Sequence, residues 1–209
     1  MSRCVIIGGG PYSNPDVLAA MVSPDDTIIA ADSGWELAMQ MHLNPSVLVA
    51  DFDSMTQPQL LDDVKVVRLP IKKDDTDTAI AMREGYDAGF RSFLLLGCTG
   101  GRLDHYFASL TIAAQYAVMG CEVVIADEKN LIRVLHPGDY TFGSVAGEIV
   151  SLFAFAQDVV DLSVDHLEYD IKHFTLSPLN PLCVSNAATG NEIRVRFSEG
   201  VLLLHFSKD

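Results

Sequence analysis

Gly97-Cys98-Thr99-Gly100-Gly101-Arg102-Leu103-Asp104-His105 sits between the apolar run Phe93 to Leu96 and a long amphipathic segment. A polar, glycine-bearing turn that joins a buried strand to a helix is where parallel sheets hold phosphate groups, because unpaired N–H groups point outward there. This stretch therefore argues for an α/β fold. Gly100 and Gly101 let the backbone approach a ligand closely, and Arg102, Asp104 and His105 add a guanidinium, a carboxylate and an imidazole.

Working outward, Val5 to Ile7 read as a short buried strand ending in Gly8-Gly9-Gly10-Pro11, with Asn14 capping a helix that starts at Pro15. The three glycines lack the dinucleotide-fingerprint spacing, so a tight turn and a ligand-facing loop are both open for them. Thr27 to Ala31, Val47 to Ala50 and Val64 to Leu69 read as further strands, with a short helix from Trp35 to Met41. A helix bearing Ala79, Met82 and Tyr86 on one face precedes Phe93 to Leu96. The helix after the opening stretch carries the stripe Phe107, Leu110, Ala114 and Val118, and Glu122 to Ala126 form a sixth strand. This alternation predicts a Rossmann-like parallel sheet with flanking helices over residues 1–128.

After Asp127 the helical periodicity stops. Short β-like runs follow at Leu131 to Leu135, Ile149 to Phe155, Val159 to Leu162 and Leu167 to Tyr169. Ile193, Val195 and Phe197 alternate with Arg194 and Arg196, then Ser198-Glu199-Gly200 turns the chain into Val201 to Phe206, which reads as a hairpin. Residues 129–209 are thus expected to form a smaller C-terminal all-β sandwich domain.

The 209 residues carry 14 basic and 28 acidic side chains, a formal charge of −14 that excludes a broad polyanion-binding surface and hence nucleic acid as a partner. A small phosphorylated ligand stays open, since a metal ion can bring phosphate into an acidic site. Cys4, Cys98, Cys121 and Cys183 form no Cys-x-x-Cys pair, which argues for reduced thiols. With no signal-peptide pattern and no run long enough to span a bilayer, the expectation is a soluble cytoplasmic protein without a membrane partner.

Asp32, the pair Asp51 and Asp53, the group Asp74 and Asp77, and the group Arg102 and Asp104 each fall just after an expected strand, so a parallel sheet would bring them to one edge. Any one of these acids could simply cap the next helix. Gathered together, they need a counterion, and oxygen-only ligands select magnesium, manganese or calcium over zinc. Lys72, Lys73 and Arg102 bring positive charge to the same edge, where Arg102 suits a bidentate grip on phosphate. Acids, a metal and an anion grip together point to phosphoryl-type transfer.

Ala31-Asp32-Ser33-Gly34, Asp51-Phe52-Asp53-Ser54, Lys73-Asp74-Asp75-Thr76-Asp77 and Gly100-Gly101-Arg102-Leu103-Asp104-His105, in that order, resemble the thiamine pyrophosphokinase (thiamine diphosphokinase) family. Ser185-Asn186 resembles a Ser-Asn pair of its thiamine-binding β domain, although Ala187 stands where Glu is usual. The resemblance implies transfer of diphosphate from ATP to the hydroxyethyl group of thiamine, giving thiamine diphosphate and AMP, with Mg2+ as cofactor. It implies a nucleotide-binding catalytic domain over 1–128, a thiamine-binding domain over 129–209, and a homodimer with the active site at the subunit interface. Asp51, Asp53 and Asp77 are then expected to hold the metal, and with Arg102 and Asp104 to make the catalytic set. Asp32, Ser33, Gly34, Ser54, Lys73, Asp74, Thr76, Gly100, Gly101, Arg102 and His105 are expected at ATP and its phosphates, and Ser185 and Asn186 at thiamine. Asp74 is the expected helix cap beside Thr76 as nucleotide contact. Another Mg-dependent nucleotide pyrophosphotransferase or hydrolase, and a non-catalytic nucleotide or metal sensor, are the alternatives.

Overall fold

The computed structural model describes residues 2–52, 63–70 and 74–208. The chain divides into two compact units, Met1–Ala113 with Val124–Glu128, and Ala114–Val123 with Lys129–Asp209. It is mixed α/β, as the sequence predicts.

In the first unit, β1 (Cys4–Ile7), β2 (Thr27–Ala31), β3 (Val47–Ala50), β4 (Lys65–Arg68), β5 (Ser92–Leu96) and β6 (Glu122–Ala126) lie in the order β6-β5-β1-β2-β3-β4. β1 pairs in parallel with both β5 and β2, and β3 runs parallel to β2 and β4. The helices are α1 (Pro15–Ala19), α2 (Gly34–Gln40), α3 (Asp77–Asp87) and α4 (Leu103–Val118), with the residues of α4 from Ala114 onward, like Glu122 and Val123 of β6, counted in the second unit. On one face Val5, Ile7, Leu94 and Leu96 pack with Leu18 of α1 and Leu37 and Ala38 of α2. On the other, Cys4 and Phe93 come so close to α3 that a Cβ on Gly85 would lie 2.9 Å from both side chains. Burial on both faces explains why these strands read as unbroken apolar runs. Val5, Ile6 and Ile7 are fully buried, worth about 1.5–3 kcal/mol each.

Asn14 caps α1 as expected, its side chain accepting the Asp16 N–H, with Pro15 in the first turn. The cap of α3 is Thr76, whose hydroxyl accepts the Ala79 N–H at 3.2 Å, and not Asp74. The stripe of α4 also differs from expectation. Phe107 and Val118 are 61% and 68% exposed, while Leu110, Ala113, Ala114 and Ala117 are buried. These four keep the helical spacing, but small alanines allow close approach where larger residues would not, so side-chain size misleads about the buried face.

The second unit holds β7 (Asn130–Leu135), β8 (Gly138–Gly143), β9 (Ile149–Ala154), β10 (Val159–Asp165), β11 (Ile171–Leu176), β12 (Asn186–Ala187), β13 (Glu192–Phe197) and β14 (Leu202–Ser207). Within it the strand orders are β12-β9-β14-β7 and β11-β10-β13-β8, all pairings antiparallel. One core draws on both groups, with Leu152, Leu202 and Leu204 packed with Leu162, Val164, Ile193 and Val195.

The expected final hairpin is absent. β13 pairs with β8 and β10, whereas β14 pairs with β7 and β9, so the chain changes sheets at Ser198-Glu199-Gly200. Alternation records only that one face of β13 is buried, which holds whether the next strand pairs with it or crosses the core. Leu167 to Tyr169 are not a strand; Leu167 makes one isolated bridge with Ala188.

Candidate active site

The order β6-β5-β1-β2 in the first unit has a topological switch point. After β1 the chain builds outward through β2 to β4, then returns to place β5 on the other side of β1. Loops leaving β1 and β5 diverge there and leave a crevice at the carboxyl ends of the strands, where α/β sheets bind ligands. A cleft of about 770 Å3 occupies this position.

One part of its lining is Gly8 to Pro11 and Gly97 to Arg102. The two loops are laced together, since Gly8 N–H donates to the Leu96 carbonyl at 2.8 Å and Gly10 N–H to the Gly97 carbonyl at 2.7 Å. A Cβ on Gly10 would stand 2.7 Å from the carbonyl oxygens of Gly97 and Thr99. Gly97, Gly100 and Gly101 have φ of +62°, +72° and +57°, the left-handed region that favours glycine. The glycine run after β1 thus faces the cleft.

Asp32, Ser33, Asp51, Asp75, Thr76, Asp77 and Thr78 line the cleft from the loops after β2 and β3, the turn before α3 and the first turn of α3. Asp32 and Phe52 hold φ of +49° and +63°. Arg68 lies over the Phe52 ring at 4.7 Å, a contact beside Asp51. Gly9 and Ser33 interlock: a Cβ on Gly9 would fall 1.8 Å from the Ser33 Oγ. Gly34 is buried against the Ile7 carbonyl, where a Cβ would clash at 1.9 Å, and is not part of the lining.

Ala31, His105 and Ser109 complete the lining. The guanidinium of Arg102 is held bidentately by Asp104, Nη2 to Oδ2 at 2.6 Å and Nε to Oδ1 at 3.1 Å, while His105 N–H donates to the same carboxylate at 3.0 Å. The Arg102 hydrogen bond holds the Asp104 carboxyl below the usual carboxylate range, and Asp104 in turn raises Arg102. Asp104 stands outside the lining and touches it through Arg102. Cys98 is buried in the lining, and burial pushes its thiol up to about 11, so it stays protonated at neutral pH.

Of the residues singled out from sequence, the cleft unites Asp32, Ser33, Asp51, Thr76, Asp77, Gly100, Gly101, Arg102 and His105. Asp74 is exposed and outside the lining, and Asp53, Ser54 and Lys73 lie outside the described residues. Ser185 and Asn186 belong to the second unit. Ser185 has φ of +57° and its N–H donates to Ser151 Oγ at 3.0 Å. Asn186 is buried, donating to the Tyr169 carbonyl at 2.8 Å and accepting the N–H groups of Tyr169 and Ala187 at 3.1 and 2.9 Å. Sequence reasoning did not single out Thr99, Ser109 or Thr78; Thr99 follows the end of β5, whereas Thr78 and Ser109 lie within α3 and α4, where a hydroxyl carries no local signal of a site.

Residues 18–125 match the family model described as thiamin pyrophosphokinase, catalytic domain, and residues 134–202 match the one described as thiamin pyrophosphokinase, vitamin B1 binding domain. The chain belongs to the thiamin pyrophosphokinase family. Thiamine pyrophosphokinase of Bacillus subtilis (strain 168) is 22% identical over 214 residues, covering 100% of both chains. Thiamin pyrophosphokinase 1 of Caenorhabditis elegans is 22% identical over 167 residues, 76% of this chain and 68% of that one. Among solved structures, thiamin pyrophosphokinase from Geobacillus thermodenitrificans is similar with TM-score 0.87 and 28% identity, covering 99% of this chain and 98% of its own. The Bacillus subtilis structure shares the fold at TM-score 0.88 over 100% of both chains. As a thiamin pyrophosphokinase family member the chain is a transferase, and its function is ATP-dependent synthesis of thiamine diphosphate.

Proposed function

We propose that residues 1–128 are a Rossmann-like domain that holds ATP with its phosphates between the loops after β1 and β5, and that residues 129–209 are a β-sandwich that presents thiamine through Ser185 and Asn186. The supporting observation is the cleft at the switch point, where the Asp51 and Asp77 carboxylates share a lining with Gly8 to Pro11 and Arg102. The hydroxyethyl oxygen of thiamine forms a bond to the β-phosphorus, the bond from that phosphorus to the α–β bridging oxygen breaks with its electron pair going to AMP, and the hydroxyl proton passes to solvent. The protein's task is alignment and charge stabilisation. Arg102, oriented by Asp104, grips the transferred phosphates bidentately. Backbone N–H groups of the glycine loops other than those of Gly8 and Gly10, which hold the two loops together, offer further donors.

Mg2+ fits the donor chemistry. It takes one or two carboxylates and completes its shell with water and substrate phosphates. Among the described residues no group of at least three His, Cys, Asp or Glu side chains is assembled to hold a metal, so phosphate oxygens would have to share the ion with Asp51 and Asp77. Asp53 is the third ligand in this reading. Bound there, the ion would neutralise phosphate charge as it develops.

The reading carries with it a cytoplasmic homodimer. The four cysteines are all buried free thiols, as a reducing compartment allows, and among the described residues no helix is long and apolar enough to cross a membrane. Incubation with Mg2+, ATP and thiamine tests the chemistry: the expected products are AMP and thiamine diphosphate in equal amounts. ADP with thiamine monophosphate would mean transfer of a single phosphoryl group and overturn the proposal.

A further inference from the structure

Glu128 does not line the cleft, yet it reaches across the first unit to the loop that does. Its Oε1 accepts the backbone N–H groups of both Ser13 and Asn14, the latter at 2.5 Å, more than a hundred positions earlier in the chain. Beside it, Asp127 Oδ2 accepts the Thr99 hydroxyl at 2.8 Å, and Thr99 lies in the other cleft loop. The carboxyl end of β6 therefore ties both glycine loops at once.

The physical need for such a tie is plain. Gly8, Gly9 and Gly10 carry no side chains to pack, and glycine has the most conformational freedom to lose. At the start of this loop, Gly8 is bonded to the last residue of β5 and Gly10 to the residue after it. At its far end the two N–H groups of Ser13 and Asn14 converge on one acceptor. An ionised carboxylate serves two donors and makes hydrogen bonds roughly twice as strong as a neutral acceptor. With both ends held, the spacing between the loops is set before a nucleotide arrives, so less ordering is paid for on binding.

We infer that Glu128 is a positioning residue for the nucleotide phosphates, acting through the Ser13 and Asn14 N–H groups on the Gly8 to Pro11 loop. This rests on the proposed function for the site and deepens it. The test uses the full chain, with α,β-methylene-ATP and Mg2+ as the binding probe. In that analogue a carbon replaces the oxygen at the bond that would break, so it binds without transferring. Glu128→Ala is expected to weaken analogue binding and raise the KM for ATP about tenfold while the KM for thiamine stays within about twofold. Glu128→Gln keeps an acceptor oxygen and should recover most of the loss. Glu128→Asp keeps the charge but withdraws it by one methylene, with an expected loss of about fivefold; it carries the test if the alanine variant does not fold.

Equal rises in both KM values, a change confined to kcat, or a lower Tm with unchanged ATP binding would each overturn the inference, because a merely structural role predicts them. Wild-type protein that binds the analogue but transfers nothing to thiamine would sink the proposed function and leave Glu128 judged on binding alone. Wild-type protein that does not bind the analogue overturns both.

Discussion

At the scale of single residues, the site depends on atoms that are missing as much as on those present. Gly9 must lack a Cβ because Ser33 Oγ already fills that space, 1.8 Å away. Gly9→Ala should therefore push apart two loops of the cleft and raise the KM for ATP about tenfold, whereas Gly9→Ala with Ser33→Gly should return it to within about threefold of wild type. Steady-state kinetics on the three proteins decides it; a double variant as impaired as the single one would refute the interlock. The acids and Arg102 were readable from sequence because an acid just past a strand end has a local signature, and several at one sheet edge imply a shared crevice. The Gly9–Ser33 interlock, the Thr99–Asp127 bond and the Glu128 tie were not, since partners that meet only through space leave no periodicity.

At the scale of elements, the six strands of the first unit were legible because buried parallel strands are short, apolar and bounded by turn residues. The second unit was less so. β8 and β11 went unrecognised, β8 because glycine stands at both its ends, β11 because its pairing with β10 is irregular and half its residues are exposed. The expected hairpin failed for a topological reason, and Gly200 is where that topology is enforced. It has φ of +98°, and a Cβ there would lie 2.4 Å from the Asp158 carbonyl oxygen. Gly200→Ala should cost about 2 kcal/mol or more in urea unfolding, combining backbone strain with the clash. Gly143→Ala is the control, since a Cβ there meets nothing within 4 Å. Similar losses at both positions would mean the sheet change does not depend on the Gly200 conformation.

For the molecule as a whole, stability at high pH is tied to its thiols. Burial pushes Cys4 up to about 12 and Cys98 up to about 11, from an ordinary 9.0. Below pH 9.0 both folded and unfolded chains keep these protons. Above it the unfolded chain releases protons that the folded chain retains, so this contribution to stability falls as pH rises from 9.0 towards 11 to 12. Thiolate ultraviolet absorbance at about pH 10 should be low in the folded protein and rise on unfolding; folded protein already at the unfolded absorbance would contradict the burial.

The strand pairing of β14 also bears on how the chain is made. Its residue Ser207 meets Asn130, 77 positions earlier, and the strand lies between β7 and β9. During synthesis at roughly 5–20 residues per second, β7 would wait roughly 4–15 s for the partner that completes its pairing. Throughout that interval the ladder edge destined for β14 is open on the nascent chain, an edge that chaperone cover on the ribosome would shield.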